Sequence, residues 1–386
     1  MHLTNYEEAA LKGEYGEAIA SSYRVLVALG DYMGADRLIA ISSAHISGVN
    51  YANIGDEGLV FLEKFASDAK VRVKTTLNPC GMQVDRPEVL KTPADFATKQ
   101  KRIIEIYAKL GVRTALSCVP YEYDNKPRKG SHAAWAESSA SIYGNSILGI
   151  MTNRESAISS LAAAITGKVP NAGMHVKENR VAGIAVSVDA ELDSTTDFGM
   201  LGLYAGKLTS KPIGFTGIKK MDRFSGKALG AGIGTSGSSP MFIILKDSNG
   251  LETIHFGKKE LNEIKESLSN VEDPQMILLG CPFYALQEVS RLASGLRGRR
   301  VTKPTYLHLS SSVYSRAERV GLIDRLRSSG VNVVKDACPS LTPIGSWNGY
   351  TDVVTDSPKG SYYMRTALKY NVNVWDIDSI IRSYSK

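Results

Sequence analysis

Cysteine is scarce in this chain, and none of its four cysteines forms a CxxC pair. Cys80, Cys118, Cys281 and Cys338 are too few and too far apart for the disulfide framework of a small secreted domain. Without paired cysteines the spacing matches neither a zinc ribbon nor a ferredoxin. Long apolar runs are missing too. Nothing approaches the roughly 18 uninterrupted apolar residues that a membrane-spanning helix needs, and the opening MHLTNYEEAALKGEYG has no basic-then-apolar signal pattern. The expected location is therefore the cytoplasm, with no membrane partner. Charge of one sign is not strongly in excess: 46 Lys and Arg against 39 Asp and Glu leave a formal +7, mostly scattered. The one tight basic cluster, Arg297, Arg299 and Arg300 with Lys303 behind them, has no interleaved aromatics and reads as a solvated connection. No nucleic-acid partner is expected from it.

What is present is ordinary globular material in quantity. A chain of 386 residues with 43% hydrophobic content can bury a large core, and its length allows two or three lobes. Thr4 with Glu7 forms a capping box, and the segment from Glu17 to Gly30 carries an apolar helical face through Ile19, Tyr23, Leu26 and Leu29. Strands are expected at 37–41, 71–77 and 112–116, with a helix between the last two that starts at Thr92-Pro93 and ends at Leu110 before Gly111. The rhythm returns in strands at 276–279, 304–309 and 331–334, and Ser315 with Glu318 is read as the cap of a helix ending at Gly330. Such alternation argues for an α/β protein with parallel sheets covered by helices. From about Asn179 to Gly250 helical periodicity weakens and Gly accumulates. This stretch reads as a separate lobe, with Gly230, Gly232 and Gly234 serving tight turns and close backbone packing rather than a phosphate loop. The lobes expected are 1–178, 179–270 and 271–386.

In parallel α/β sheets ligands gather at the carboxyl ends of the strands. There the chain places Ser43 to Asn50, then Asn78, Pro79 and Cys80, then Cys118, Cys281 and Cys338. All four cysteines thus stand where thiolates could converge, although cysteine is also a common core residue. Three cysteines are the donor set that holds a four-iron cluster with one iron open to substrate, a Lewis acid rather than an electron carrier. Glu137 lies in a run of small and apolar residues and is either a structural polar contact or a group that meets substrate. Lys359 precedes a helical segment and is either a surface lysine or a counter-charge for an anion. His45 and Arg154 carry the same ambiguity.

At these residues the chain resembles the catalytic large domain of the aconitase X family. The resemblance rests on HISGVN at 45–50, TLNPCG at 76–81, SCVPY at 117–121, GSHAAWAESSA at 130–140, YGNSILGIMTNRES at 143–156, GCP at 280–282, DACP at 336–339 and TDSPKG at 355–360. It implies an aconitase-like fold in two or more lobes with the active site between them. The cluster ligands it implies are Cys118, Cys281 and Cys338, with Cys80 dropping out. Substrate contacts would come from Gly48, Val49, Asn50, Asn78, Pro79, Glu137, Ser138 and Lys359. The implied cofactor is an iron-sulfur cluster, expected as 4Fe-4S with one open iron.

By the same resemblance the expected reaction is dehydration of (R)-5-phosphomevalonate, a small anion, in an isoprenoid route. The catalytic base is expected on a separate small swivel-domain subunit, so no catalytic residue is assigned on this chain. Dehydration of cis-3-hydroxy-L-proline is the alternative within the family. A non-catalytic metal- or nucleic-acid-binding protein is the alternative outside it.

Overall fold

The computed structural model describes residues 1–386 except Ser67 and Asn249. The chain forms two compact units, one of residues 1–78 and 98–181, the other of residues 79–97 and 182–386.

The first unit is built on a four-stranded parallel sheet in the order Arg113–Leu116, Lys74–Leu77, Ser43–Ile46, Ala133–Trp135. A separate antiparallel pair joins Leu38–Ala40 to Lys168–Pro170. The helix Ala157–Thr166 packs on strand Ser43–Ile46 and on the helix Glu17–Tyr32. Its sequence, AISSLAAAIT, is Ala-rich and apolar. Ser156 caps its start by accepting from the Ser159 N–H at 3.0 Å, and Gly167 at φ +73° ends it. On the helix Glu17–Tyr32 the expected face is present, with Tyr23 and Leu26 fully buried and Ile19 and Leu29 at its margins. The capping box at Thr4 and Glu7 also forms.

The second unit contains two parallel sheets. One runs Thr253–Phe256, Ile184–Val188, Ile213–Thr216, Phe242–Ile244. The other runs Val331–Lys335, Thr305–Leu309, Met276–Leu279, Asp352–Thr355, Asn371–Val374. A buried cluster including Leu90, Met276, Leu278, Val334, Val353 and Met364 packs beneath the five-stranded sheet.

Three sequence expectations are corrected. Ser43–Ile46, read as the start of a loop, is a fully buried central strand; its Ser, Ala and His hide it from any β-propensity signal. Gly230, Gly232 and Gly234 lie not in turns but inside the helix Arg223–Ser236, and of the two roles expected for them only close backbone packing is present. They let that helix cross Thr195–Ala205 with the backbones in contact. A Cβ on Gly232 would stand 2.3 Å from the Gly199 carbonyl oxygen, and one on Gly202 2.4 Å from that of Leu229. The helix expected from Ser315 starts earlier, at Ser311 with Ser310 as cap, and breaks at Gly321 into Ser311–Arg319 and Leu322–Ser328. Ser315 and Glu318 are interior to the first of these.

Candidate active site

In the first unit the site residues follow the carboxyl ends of all four strands of the parallel sheet. Ser43–Ile46 leads through Ser47 into Gly48, Val49 and Asn50. Gly48 has φ +75°, and a Cβ there would lie 2.7 Å from the Cβ of Ala157, so side chains are excluded by both backbone and neighbour. Asn50 caps the helix Tyr51–Phe65, its Oδ1 accepting from the Ala52 N–H at 3.4 Å and its Nδ2 donating to Asn53 Oδ1 at 2.7 Å. The buried Gln100 then clamps the loop from both sides: its Nε2 donates to the Val49 carbonyl at 2.7 Å, and its Oε1 accepts from the Tyr51 N–H at 2.9 Å. Sequence reading misses Gln100. Its signal is a polar residue in register with Ile103, Tyr107 and Leu110 on the buried face of Ala94–Lys109. Replacing Gly48 by Ala is expected to destabilise the protein by about 1–2 kcal/mol, seen as a lower melting temperature, with the loop displaced from Ala157.

A polar chain links the next two strand ends. His45 is fully buried between Thr76 Oγ1 and Asn78 Oδ1, each 2.8 Å from a ring nitrogen. Asn78 Nδ2 donates to Glu137 Oε2 at 2.9 Å, and Glu137 Oε1 accepts from the Ser139 N–H at 3.3 Å and its hydroxyl at 2.9 Å. With Glu137 as a carboxylate, which only accepts, the Asn78 amide must turn its oxygen to His45. His45 therefore carries its proton on Nε2 and accepts from Thr76 at Nδ1. Glu137 is thus the cap of the helix Ser138–Tyr143, anchored to a strand end. Ser138 opens that helix and is buried. Cys118 follows Arg113–Leu116 and is also buried. Arg154 is exposed, as is the basic cluster at Arg297, Arg299 and Arg300.

Burial pushes the His45 pKa down to about 4. Between pH 6.5 and 4 the unfolded chain therefore takes up a proton that the folded site refuses, and stability is lost as pH falls through that window. At pH 5 this one histidine accounts for about 2 kcal/mol. Asp336 and Asp356, pushed up to about 6 by burial, act in the opposite sense: their contribution is lost as pH rises from 3.8 toward 6. His45→Gln is accordingly expected to lose less melting temperature than the unaltered chain between pH 6.5 and 5, a comparison that thermal melts read directly.

The second unit begins at Pro79, which is buried. Cys80 is sealed in: its thiol donates to the Met82 carbonyl at 3.1 Å, its backbone pairs with Asp336 and Cys338, and burial pushes its pKa up to about 12. A thiol so placed stays protonated and faces protein rather than ligand. Cys281 follows Met276–Leu279, and Cys338 follows Val331–Lys335. The Ser340 hydroxyl donates to Cys281 Sγ at 3.2 Å, which brings the Cys338 loop beside Cys281. Lys359 is not the surface lysine that its sequence context allowed. It is buried in the first turn of Pro358–Thr366, and it lines a cavity with Cys281, Tyr284, Asp356, Lys227 and Glu288.

Among the described residues, no three His, Cys, Asp or Glu side chains stand grouped to hold a metal ion. The three expected ligands divide as one in the first unit and two in the second. The donor chemistry of the second unit fits a thiolate-bound group: two cysteines at the ends of strands that flank Thr305–Leu309 in one sheet, a hydroxyl donating to the sulfur of Cys281, and a buried cation on the cavity that Cys281 lines.

Family models for the first, second and third domains of aconitase X match residues 1–178, 182–266 and 274–386. The chain belongs to the aconitase X family. It is 38% identical to the phosphomevalonate dehydratase large subunit of Thermococcus kodakarensis, with 99% of each chain covered. A more distant relative, the cis-3-hydroxy-L-proline dehydratase of Pseudomonas aeruginosa, is 30% identical over 94% of this chain and 66% of that protein. A crystal structure of Thermococcus kodakaraensis aconitase X in its holo form superposes with a TM-score of 0.93 at 38% identity, covering both chains completely. The α/β architecture of parallel sheets flanked by helices is thus that of aconitase X.

Proposed function

We propose that this chain is the large subunit of a hydro-lyase that removes water from (R)-5-phosphomevalonate to give trans-anhydromevalonate 5-phosphate. The observation that carries this reading is the end-to-end match to a phosphomevalonate dehydratase large subunit, against a weaker match to only two thirds of the hydroxyproline enzyme.

Cys118, Cys281 and Cys338 would hold an iron-sulfur cluster, expected as 4Fe-4S. Bound there, it supplies an iron without a protein ligand, a Lewis acid that assists departure of a hydroxyl. The chain's own residues bind and orient. Backbone N–H groups of the Gly48–Asn50 turn suit a carboxylate. Lys359 suits an anionic group, and Asn78 holds Glu137 in one orientation. The turn that carries the N–H groups is kept in shape by Gln100 and by the Ala157 contact at Gly48. In the reaction a C–H bond beside the carboxylate and a C–O bond break, a C=C bond forms, and one water leaves. The base that takes the proton is assigned to a separate small subunit, so this chain alone is expected to be inactive.

The test is an assay of the anaerobically purified pair of subunits on both candidate substrates. Consumption of phosphomevalonate and not of cis-3-hydroxy-L-proline supports the reading. The reverse result overturns it.

A further inference from the structure

Two strand ends of the five-stranded sheet are tied together by a partly buried hydrogen bond that the substrate and cluster roles leave unused. Met276–Leu279 and Asp352–Thr355 are neighbouring parallel strands, with Ile277 paired to Val354. The first strand runs into Cys281, Phe283 and Tyr284, the second into Asp356, Ser357 and Lys359. The Tyr284 hydroxyl donates to Asp356 Oδ2 across the gap between these loops. Tyr284 is buried and Asp356 half-buried, and the other carboxylate oxygen, Asp356 Oδ1, is buried with no hydrogen-bond partner. The residues around the bond fix it from three directions. Thr196 donates to the Asp356 carbonyl at 2.8 Å, and Lys227 donates to the Phe283 carbonyl at 3.1 Å while pairing with Glu288. Ser357 Oγ accepts from the Gly360 N–H at 2.8 Å, and a Cβ on Gly360 would stand 3.2 Å from that of Cys281.

Such a construction costs desolvation of a carboxyl group and leaves one of its oxygens unsatisfied, which a purely structural contact does not require. What it does accomplish is registration: the loop carrying Cys281 and the turn carrying Lys359 cannot move apart without breaking it.

We propose that Tyr284 and Asp356 form a positioning bridge that sets the distance between Cys281 and Lys359, and so between the metal-binding loop and the cation that receives the anionic substrate. The bridge rests on the dehydratase reading for its consequence, though not for its geometry. The role assigned to both residues is to hold those two loops, not to act on the reacting atoms.

The test uses the two-subunit complex reconstituted anaerobically with iron and sulfide. Tyr284→Phe removes the bond and keeps the ring. It is expected to raise KM about tenfold with a smaller fall in kcat, and to speed loss of iron and of visible absorbance in air, because the Cys281 loop is no longer held. Asp356→Asn still accepts from Tyr284 through its amide oxygen and is expected to stay within about twofold of the unaltered complex in both readouts. If Tyr284→Phe does not fold, Asp356→Ala breaks the same bond from the other side. Unchanged KM and unchanged iron loss in the bond-breaking variant would overturn the bridge, as would equal defects in the bond-keeping one. If the complex turns over neither substrate, it is the dehydratase reading that fails, and the rate of iron loss still tests the bridge.

Discussion

Cys281→Ser, Cys118→Ser and Cys338→Ser are each expected to cost the two-subunit complex its iron-linked absorbance and about a thousandfold or more of its dehydration rate. Cys80→Ser is expected to keep both within about twofold, since a serine hydroxyl can make the same donation to Met82. The contrast has a physical basis. All four residues stand at strand ends, yet the Cys80 thiol is fully buried, donates to the Met82 carbonyl, and is held far from ionisation at about 12. A thiolate ligand must lose its proton. Cys281 instead receives a hydrogen bond from Ser340 on its sulfur and lines a cavity with Lys359, both of which favour negative charge there. Iron and sulfide analysis after anaerobic purification measures the effect without depending on activity. A colourless Cys80→Ser complex, or a Cys281→Ser complex with full iron, would refute the ligand assignment.

Lys359→Met is expected to lower kcat/KM for phosphomevalonate by about 100-fold while leaving iron content unchanged. The lysine sits in the first turn of Pro358–Thr366 and is only 8% exposed. Its place on the wall of the cavity that Cys281 also lines is the argument for a contact with a substrate carboxylate or phosphate rather than a packing role alone. Lys359→Arg is not expected to restore the rate in full, because a forked guanidinium does not replace a compact ammonium in a closed space. Steady-state kinetics on the complex read the change. A variant with unaltered KM and kcat would remove Lys359 from the site.

Much of the fold is legible in the order of the amino acids. The βα rhythm, the capping box at Thr4, the apolar runs at Met276–Leu279 and Thr305–Leu309, and the class of fold all follow from local patterns of capping and periodicity. The motifs from His45 to Lys359 carry the family resemblance, and the end-to-end similarity to aconitase X bears it out. Strand Ser43–Ile46 is not legible, because a central strand flanked on both sides can be made of Ser, Ala and His once its neighbours supply the apolar contacts. The glycines that form the helix crossing at Gly202 and Gly232 look like turn residues, since sequence alone does not separate a glycine that bends the chain from one that lets another helix approach.

By itself, then, the sequence determined the elements, the family and the candidate residues, because short-range periodicity, caps and motif spacing are properties of neighbours along the chain. Only the tertiary structure decided which of those residues are in a position to act. It sealed Cys80 behind Met82, buried Lys359 beside Cys281, joined His45 to Glu137 through Asn78, and brought Gln100 and the Tyr284–Asp356 pair into view. Burial, pKa and hydrogen-bond partners depend on groups tens to hundreds of residues away, and only the packed chain brings those groups together.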